Sequence, residues 1–308
     1  MEIIATADEK GKRLDLFLVA HLPSVSRSAI QKMIRNGEVT VNEKKAAVHH
    51  FLKSGDRVLI ESKEQPTLAP IPYSLFPLNI LYEDDNYLVI DKPPGIAVHP
   101  AAGVSGPTLV DMILAERPEI RQIGDDPARP GIVHRLDKDV SGAMVVAKTQ
   151  EAFDDLKRQF AARMVGKVYA ALVVGKLPKD EGEITFAIGR SKRRGRMAAR
   201  PTGAEGKEAV TSYTVEKRFA NSTLVRVQIE TGRTHQIRAH FQALGHPIAG
   251  DVRYRIKSKA LRSEPSRPFL HAAELRFHGL DGKERVISSP LPDDLNDFLS
   301  KLEPRTPA

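Results

Sequence analysis

The chain has 308 residues, enough for one large domain or for a large domain with a small one. Its net charge of +8 at pH 7 favours a polyanionic partner such as nucleic acid, although a basic enzyme without such a partner could carry the same charge. The absence of cysteine excludes disulfides, thiolate metal sites and cysteine nucleophiles. No apolar run reaches the length of a membrane span, and the acidic N-terminus is unlike a signal peptide, so we expect a cytoplasmic protein.

The first 62 residues are predicted to form a separate small module. The apolar residues of segment 14–18 share one face of a first short helix. A second helix is predicted to begin at Ser28, which forms a capping box with Gln31. Short strands follow, the last of them over residues 57–60.

Basic residues surround the two predicted helices of this module: Arg13, Arg27, Lys32 and Arg35. They make a candidate phosphate-binding face, but their charge alone is equally compatible with a solvated helix surface. The segments RLD (13–15), SRS (26–28), IRNGEVTVN (34–42) and GDRV (55–58) resemble the small RNA-binding domain first named from ribosomal small-subunit protein four. The resemblance implies that the two helices bind RNA.

Residues 63–79 contain four prolines, which predict a semi-extended linker because proline interrupts both helices and central strands. Residues 80–308 are predicted to form a second, larger α+β domain that is rich in strands. Strands are expected over 87–90 and 168–174, and a helix over 154–164. The strands do not alternate regularly with helices, which disfavours a doubly wound parallel sheet.

A dense polar segment, GIVHRLDKDVSG (131–142), lies between two apolar runs and predicts a loop on a rigid sheet. Its Asp137 lies near Arg135 and Lys138, which favour an ionised carboxylate. Such a carboxylate could be a nucleophile or base, or could form an ordinary structural salt bridge. The segment itself does not decide between these interpretations.

A second candidate segment, ETGRTHQIRAH (230–240), leads from a strand into a helix that Thr234 is predicted to cap. Its helix is expected to turn Ile237, Phe241 and Leu244 toward the core. The arginines of its first turns could hold an anion. The spacing of its histidines does not fit a metal motif, so we expect no metal site.

Two further features are ambiguous from sequence. Tyr169 lies in an aliphatic strand, where it could fill core volume or stack on a base. The segment 190–200 carries six basic residues and no acid, which predicts a nucleic-acid-binding arm or a solvated loop. The residues of this arm that we expect to bind RNA are Lys192, Arg193, Arg194 and Arg196.

Four ordered motifs resemble the RluA/RluD family of pseudouridine synthases, and the RluD type in particular, which modifies large-subunit ribosomal RNA. They are DKPPGIAVHP (91–100), HRLD (134–137) with the following SG (141–142), KVYAALV (167–173) and GRTHQIR (232–238). The resemblance implies a mixed, largely antiparallel sheet in the catalytic domain. It also implies an isomerase that converts uridine in RNA to pseudouridine without a cofactor.

The resemblance assigns roles to single residues. The family's catalytic aspartate corresponds to Asp137, its paired arginine to Arg238 and the tyrosine under the base to Tyr169. Arg135 matches the arginine that fills the gap left by a flipped nucleotide, while Val140 stands where the family often has threonine. Residues of the same motifs are expected to contact the substrate: His134, Arg135, Leu136, Arg233, His235 and Gln236.

Two other functions compete with this one. A non-catalytic RNA-binding ribosome-assembly factor would explain the charge and the small module, but it would not need Asp137, Tyr169 and Arg238 together. A glycosidase would need a second carboxylate, for which Asp139 is the candidate. The expected partner is large-subunit ribosomal RNA or a ribosome-assembly intermediate, and we expect a monomer.

Overall fold

The computed structural model describes residues 2–22, 27–60, 77–100, 104, 106–191, 195–201, 205–256, 261 and 263–303, without the side chains of 27–29 and 32. The chain divides into two compact units, Met1–Leu75 and Phe76–Ala308. Most of the predicted linker lies outside the described residues, which resume at residue 77.

The N-terminal unit packs two helices against a four-stranded antiparallel sheet of order β1-β4-β2-β3. The predicted apolar face of the first helix is confirmed, since Leu14, Phe17 and Leu18 are all buried. The elements are α1 (Leu14–His21), α2 (Arg27–Asn36), β1 (Glu2–Ile4), β2 (Val39–Val41), β3 (Lys44–Lys45) and β4 (Arg57–Ile60).

The predicted capping box of the second helix is wrong. The helix α2 already begins at Arg27, so Ser28 lies inside it. Gln31 instead donates a hydrogen bond from Nε2 to Oδ2 of Asp15 at 2.9 Å. The glutamine therefore connects the two helices, a tertiary contact that the local capping pattern cannot reveal.

The C-terminal unit is built on a nine-stranded sheet with the order β5-β6-β7-β14-β8-β13-β12-β9, and β15 pairs with β14. Among the described strand pairs, β7 and β14 run parallel and the others are antiparallel, so the expected mixed, largely antiparallel sheet is confirmed. Its strands are β5 (Ile80–Glu83), β6 (Tyr87–Lys92), β7 (Ser141–Ala147), β8 (Gly166–Val174), β9 (Glu181–Ile184), β12 (Thr211–Arg218), β13 (Ser222–Ile229), β14 (Leu270–His278) and β15 (Glu284–Ser288).

Two strands form a separate hairpin, β10 (Ala187–Arg190) with β11 (Met197–Arg200). The helices of this unit are α3 (Leu109–Glu116), α4 (Gln150–Ala161), α5 (Gln236–Ala243) and α6 (Asp293–Ser300). The helix expected over 154–164 is α4, which begins earlier because the Thr149 hydroxyl caps it by accepting from the amide of Ala152 at 3.2 Å.

Gly142 lets the polar segment enter the centre of the sheet. Its φ is +121°, and a Cβ there would lie 2.3 Å from the carbonyl oxygen of Ala272. Only glycine tolerates both the conformation and the contact. The strand β7 can therefore lie directly beside β14, which places the preceding loop, residues 131–140, over the middle strands.

Candidate active site

Asp137 occupies the first position of a tight turn that ends at Val140. The Val140 amide donates to the Asp137 carbonyl at 3.1 Å. The carbonyl of Lys138 accepts from the Gly95 amide at 2.9 Å and from the ammonium of Lys92 at 3.0 Å. The turn is thus fixed by the loop that follows β6, which explains why the DKPPG motif accompanies the HRLD motif.

The Lys92 side chain is fully buried. Its Nζ also donates to the carbonyls of Pro93 at 2.7 Å and Ile96 at 2.9 Å. Burial lowers the pKa of Lys92 to about 7, while nearby carboxylates, Asp139 first, oppose that shift. Lys92 therefore ties two loops together with three hydrogen bonds and does not face the site.

The carboxylate of Asp137 is held by Arg238, as the sequence predicted. Arg238 Nη1 donates to Asp137 Oδ2 at 2.9 Å. The other edge of the guanidinium binds the fully buried Asp251 through Nε–Oδ2 at 2.6 Å and Nη2–Oδ1 at 2.9 Å. Burial by itself lowers the pKa of Arg238, but Asp251 and then Asp137 raise it by more. The net pKa is above the ordinary value, so the guanidinium stays charged.

Sequence reasoning missed Asp251 and Tyr254. The guanidinium of Arg238 stacks over the Tyr254 ring, 5.0 Å from its centroid, and Arg196 lies over the same ring at 4.5 Å. The Tyr254 hydroxyl donates to the carbonyl of Met197 at 2.9 Å. The sequence signal for Asp251 and Tyr254 is weak: Gly250 and Asp251 form a turn pattern ahead of basic residues at 253, 255 and 257, and many surface turns share that pattern.

The N-cap residue of α5 is His235, in the left-handed conformation with φ 55°, so the expected cap at Thr234 is wrong. Its Nδ1 lies 3.0 Å from the Tyr254 hydroxyl, and its Nε2 lies 3.8 Å from Asp137 Oδ2. Because that hydroxyl already donates to a carbonyl, Nδ1 must carry the proton of this contact. Burial lowers the pKa of His235, which favours the neutral ring.

The apolar face of α5 is partly as predicted. Ile237 and Phe241 are buried, whereas Leu244 lies just beyond the helix and is 38% exposed. The helix ends at Ala243, so the helical periodicity that predicted an inward-facing Leu244 does not extend to that residue.

Tyr169 belongs to β8, and its side chain lines the same cavity as Asp137. The residue is 7% exposed, and no residue that the structure describes hydrogen-bonds to its hydroxyl. Burial first and the charge of Asp137 second raise the pKa of this phenol, so it is protonated at neutral pH. The ring forms part of a site wall and is not enclosed in the core.

Asp137, Tyr169 and Arg238 line a narrow cavity of about 60 Å³, here called the aspartate pocket. Eight of the nine residues predicted to be catalytic or to bind substrate line it: Arg135, Leu136, Asp137, Tyr169, Arg233, His235, Gln236 and Arg238. The fold therefore brings together three motifs that are distant in the sequence.

A larger cavity of about 390 Å³, here called the basic pocket, adjoins the aspartate pocket. The ninth predicted residue, His134, lines this cavity. Its ring stacks on Phe160 with centroids 4.7 Å apart, and its Nε2 accepts from the Val145 amide at 3.1 Å. Burial lowers the pKa of His134 to about 3, so the ring is neutral.

The side chain of Gln236, predicted to contact the substrate, makes its hydrogen bonds within the protein. Its amide oxygen accepts from the Thr231 hydroxyl at 2.7 Å and the Arg233 amide at 3.0 Å. Its amide nitrogen donates to the Val210 carbonyl and the Thr211 hydroxyl, each at 2.9 Å. Every polar position of the side chain is used inside the protein, so Gln236 fastens the turn that carries Arg233 and His235.

The residues expected to bind RNA are described only in part. Arg13 makes a bidentate pair with Asp15, with both contacts at 3.0 Å, and also contacts His49. Arg35 is exposed. The side chains of Arg27 and Lys32 and the whole of Lys192, Arg193 and Arg194 lie outside the described residues.

The histidines of segment 230–246 have structural partners. His240 is buried between the Thr211 hydroxyl and the Phe186 carbonyl, each at 2.9 Å, and His246 contacts the Val174 carbonyl at 3.0 Å. Within the part of the chain that the structure describes, no group of three or more candidate metal ligands is found. In the same residues, no helix has the length and apolar character of a membrane span.

Comparison with known proteins identifies the family of each unit. Residues 86–243 match the RNA pseudouridylate synthase family, and residues 12–58 match the S4 domain. The chain belongs to the RNA pseudouridylate synthase family. This synthase is therefore an isomerase that acts on RNA, and the resemblance seen in its motifs is confirmed.

Relatives of this synthase match over nearly its whole length. It is 39% identical to the ribosomal large subunit pseudouridine synthase D of Nitrosomonas europaea, over 98% of this chain and 88% of that one. It is 37% identical to the uncharacterized RNA pseudouridine synthase YlyB of Bacillus subtilis, over 98% of both chains. The solved structure of human RNA pseudouridylate synthase domain containing 1 is similar with a TM-score of 0.60 and 29% identity, over 74% of this chain and 89% of that one.

Proposed function

We propose that this synthase isomerises specific uridines in large-subunit ribosomal RNA, with Asp137 as the nucleophile. The observation that carries the proposal is the chain Asp137–Arg238–Asp251, which presents the Asp137 side chain opposite Tyr169. Relatives that are named ribosomal large subunit pseudouridine synthase D support the choice of RNA.

The reaction requires a carboxylate but no redox partner. The N1–C1′ bond of uridine breaks, the base rotates, and a C5–C1′ bond forms. C5 loses its proton and N1 takes one up, so the atoms balance without a cofactor. Asp137 would attack C1′ or C6, and Arg238 would orient it in either case.

The walls of the aspartate pocket fit a base removed from its stack. The neutral ring of Tyr169 offers a surface on which the flipped uracil can lie. Arg135 is exposed at the mouth of the pocket, which suits a side chain that fills the gap left in the RNA. The neutral His235 carries its proton on Nδ1, so its Nε2, 3.8 Å from Asp137 Oδ2, suits a hydrogen-bond acceptor near the sugar.

The organisation of the chain follows from the same proposal. Residues 1–62 would bind RNA, residues 63–79 would be a linker, and residues 80–308 would catalyse the reaction. The family matches at 12–58 and 86–243 support this division. A ribosomal RNA target further supports action in the cytoplasm, and we propose a monomer, which light scattering coupled to gel filtration tests.

The test is release of tritium from C5 of labelled uridine in unmodified large-subunit ribosomal RNA. We expect release by the wild-type protein and none by Asp137→Asn, with RNA binding unchanged in filter assays. Asp139→Asn is the matched control, because Asp139 is exposed in the same turn. It should retain activity, which would also exclude paired-carboxylate hydrolysis. Wild-type binding without tritium release would instead favour an assembly factor.

A further inference from the structure

The basic pocket is strongly cationic and large enough for a ligand of its own. Its volume of about 390 Å³ lies in the range of about 300–1,000 Å³ that is usual for ligand sites. Five positively charged side chains and one carboxylate line it: Arg129, Arg135, Arg163, Lys167, Arg233 and Glu230. The carboxylate is already partnered, since Glu230 lies 3.8 Å from Arg163, which also contacts Glu208 at 3.3 Å.

Lys167 is the unusual member of this lining. It is 8% exposed, and its ammonium lies over the Phe160 ring, 5.7 Å from the centroid. Its single hydrogen bond with a described residue is a long one, 3.4 Å to the carbonyl of Glu230. A buried ammonium normally has close acceptors, as Lys92 does with three carbonyls within 3.0 Å. Lys167 therefore has unused donor capacity beside a cavity that it lines.

The electrostatics of Lys167 agree with this geometry. Burial lowers its pKa to about 8, and the charge of Arg233 adds to that effect. An anion in the pocket would oppose both causes, because it would compensate the buried charge and offset the neighbouring guanidinium.

The basic pocket is continuous with the aspartate pocket. Arg135, Tyr169 and Arg233 line both cavities. Lys167 and Tyr169 are two residues apart on β8, so they project from the same face of the sheet. A nucleotide with its uracil over Tyr169 would have its flanking phosphates within a few ångströms of this continuous cavity, which Lys167 lines.

We propose that the basic pocket binds the phosphodiester group that flanks the target uridine, and that Lys167 is its principal ligand. This inference rests on the proposed function for the identity of the bound RNA. Lys167 is a substrate-binding residue in this view and takes no part in bond breaking. His134, which also lines the pocket, is neutral and leaves the positive charge to Lys167 and the arginines.

The experiment measures the affinity for transcribed large-subunit ribosomal RNA as a function of salt for wild type, Lys167→Met and Lys157→Met. Lys157 is the matched control, because it also lies over a phenylalanine ring, 5.9 Å from the centroid of Phe153, but is exposed and paired with Asp125. Each phosphate contact contributes about 0.7 to 0.9 to the slope of log affinity against log salt. Lys167→Met should lower the slope by about that amount, and Lys157→Met should not.

Steady-state kinetics give an independent readout on the same variants. Lys167→Met should raise KM for the RNA about tenfold and change kcat less than twofold, and Lys167→Arg should restore KM. A wild-type slope and KM in folded Lys167→Met would overturn the proposal. So would a loss of kcat at unchanged affinity, which would make Lys167 a support for Tyr169. If neither the wild-type protein nor the variants release tritium, but the salt slope is still lower in Lys167→Met, the anion site is supported and the proposed function fails.

Discussion

Asp251→Asn tests whether the buried partner of Arg238 positions the catalytic carboxylate. Asparagine keeps the shape of the side chain and one oxygen, so it can still accept from the amides of Arg253 and Tyr254 at 3.1 and 3.2 Å. It removes the negative charge and one of the two bonds to Arg238. The guanidinium, 8% exposed, is then left with Asp137 as its single carboxylate partner among the described residues.

The expected stability loss follows from burial. Removing one partner of a buried ion pair costs about 3–5 kcal/mol, and the oxygen that remains places this variant near the lower limit. The expected fall in kcat is about 100-fold, because a misplacement of about 1 Å of a catalytic group has that effect. KM should change little, since the charge of Arg238 remains.

Urea unfolding and tritium release measure the two quantities. Asp294→Asn is the control, because Asp294 makes the same bidentate contact with Arg267, at 2.7 and 2.9 Å, but is 43% exposed. That pair should contribute at most about 1 kcal/mol. Equal stability losses in the two variants would refute the argument from burial, and wild-type kcat in Asp251→Asn would refute the positioning role.

Three further changes probe the scaffold of the site. Gly142→Ala should abolish soluble expression or lower the free energy of unfolding by several kcal/mol, because the added methyl group would meet the Ala272 backbone. Thermal melting followed by circular dichroism measures this, and a melting curve like that of the wild type would contradict it. Lys92→Met should lower kcat more than RNA affinity, because the Lys138 carbonyl loses an anchor beside the catalytic turn; equal losses in both would point to general unfolding. Tyr254→Phe should keep the fold, because its ring keeps its contacts with two guanidinium groups, but should lower kcat about tenfold because His235 loses its hydrogen bond to the hydroxyl. Unchanged kcat in that variant would show that the histidine needs no anchor.

Local signals in the sequence were sufficient to predict several of the helices and strands, whereas the roles of the site residues were assigned by the resemblance of four motifs to a known family. Apolar runs predicted β6 and β8, and the density of polar residues between two apolar runs predicted the loop that carries Asp137. Helix boundaries were less accurate, since α2 and α4 both begin before the predicted residue. In α2, Gln31 of the predicted capping box binds Asp15 of another helix, and in α4 the cap is Thr149, which precedes the periodic segment.

The tertiary structure alone decided which groups meet. Asp137 and Arg238 are 101 residues apart, and their contact depends on the strand order β7-β14-β8-β13 and on the close approach that Gly142 allows. In the sequence, Asp251 is indistinguishable from other acidic turn residues. Its role follows only from its contact with Arg238 of α5 in the folded protein. The sequence by itself determined the chemical groups and the local structures that carry them. Their pairing, burial and pKa shifts arise from contacts between distant segments, which no local pattern encodes.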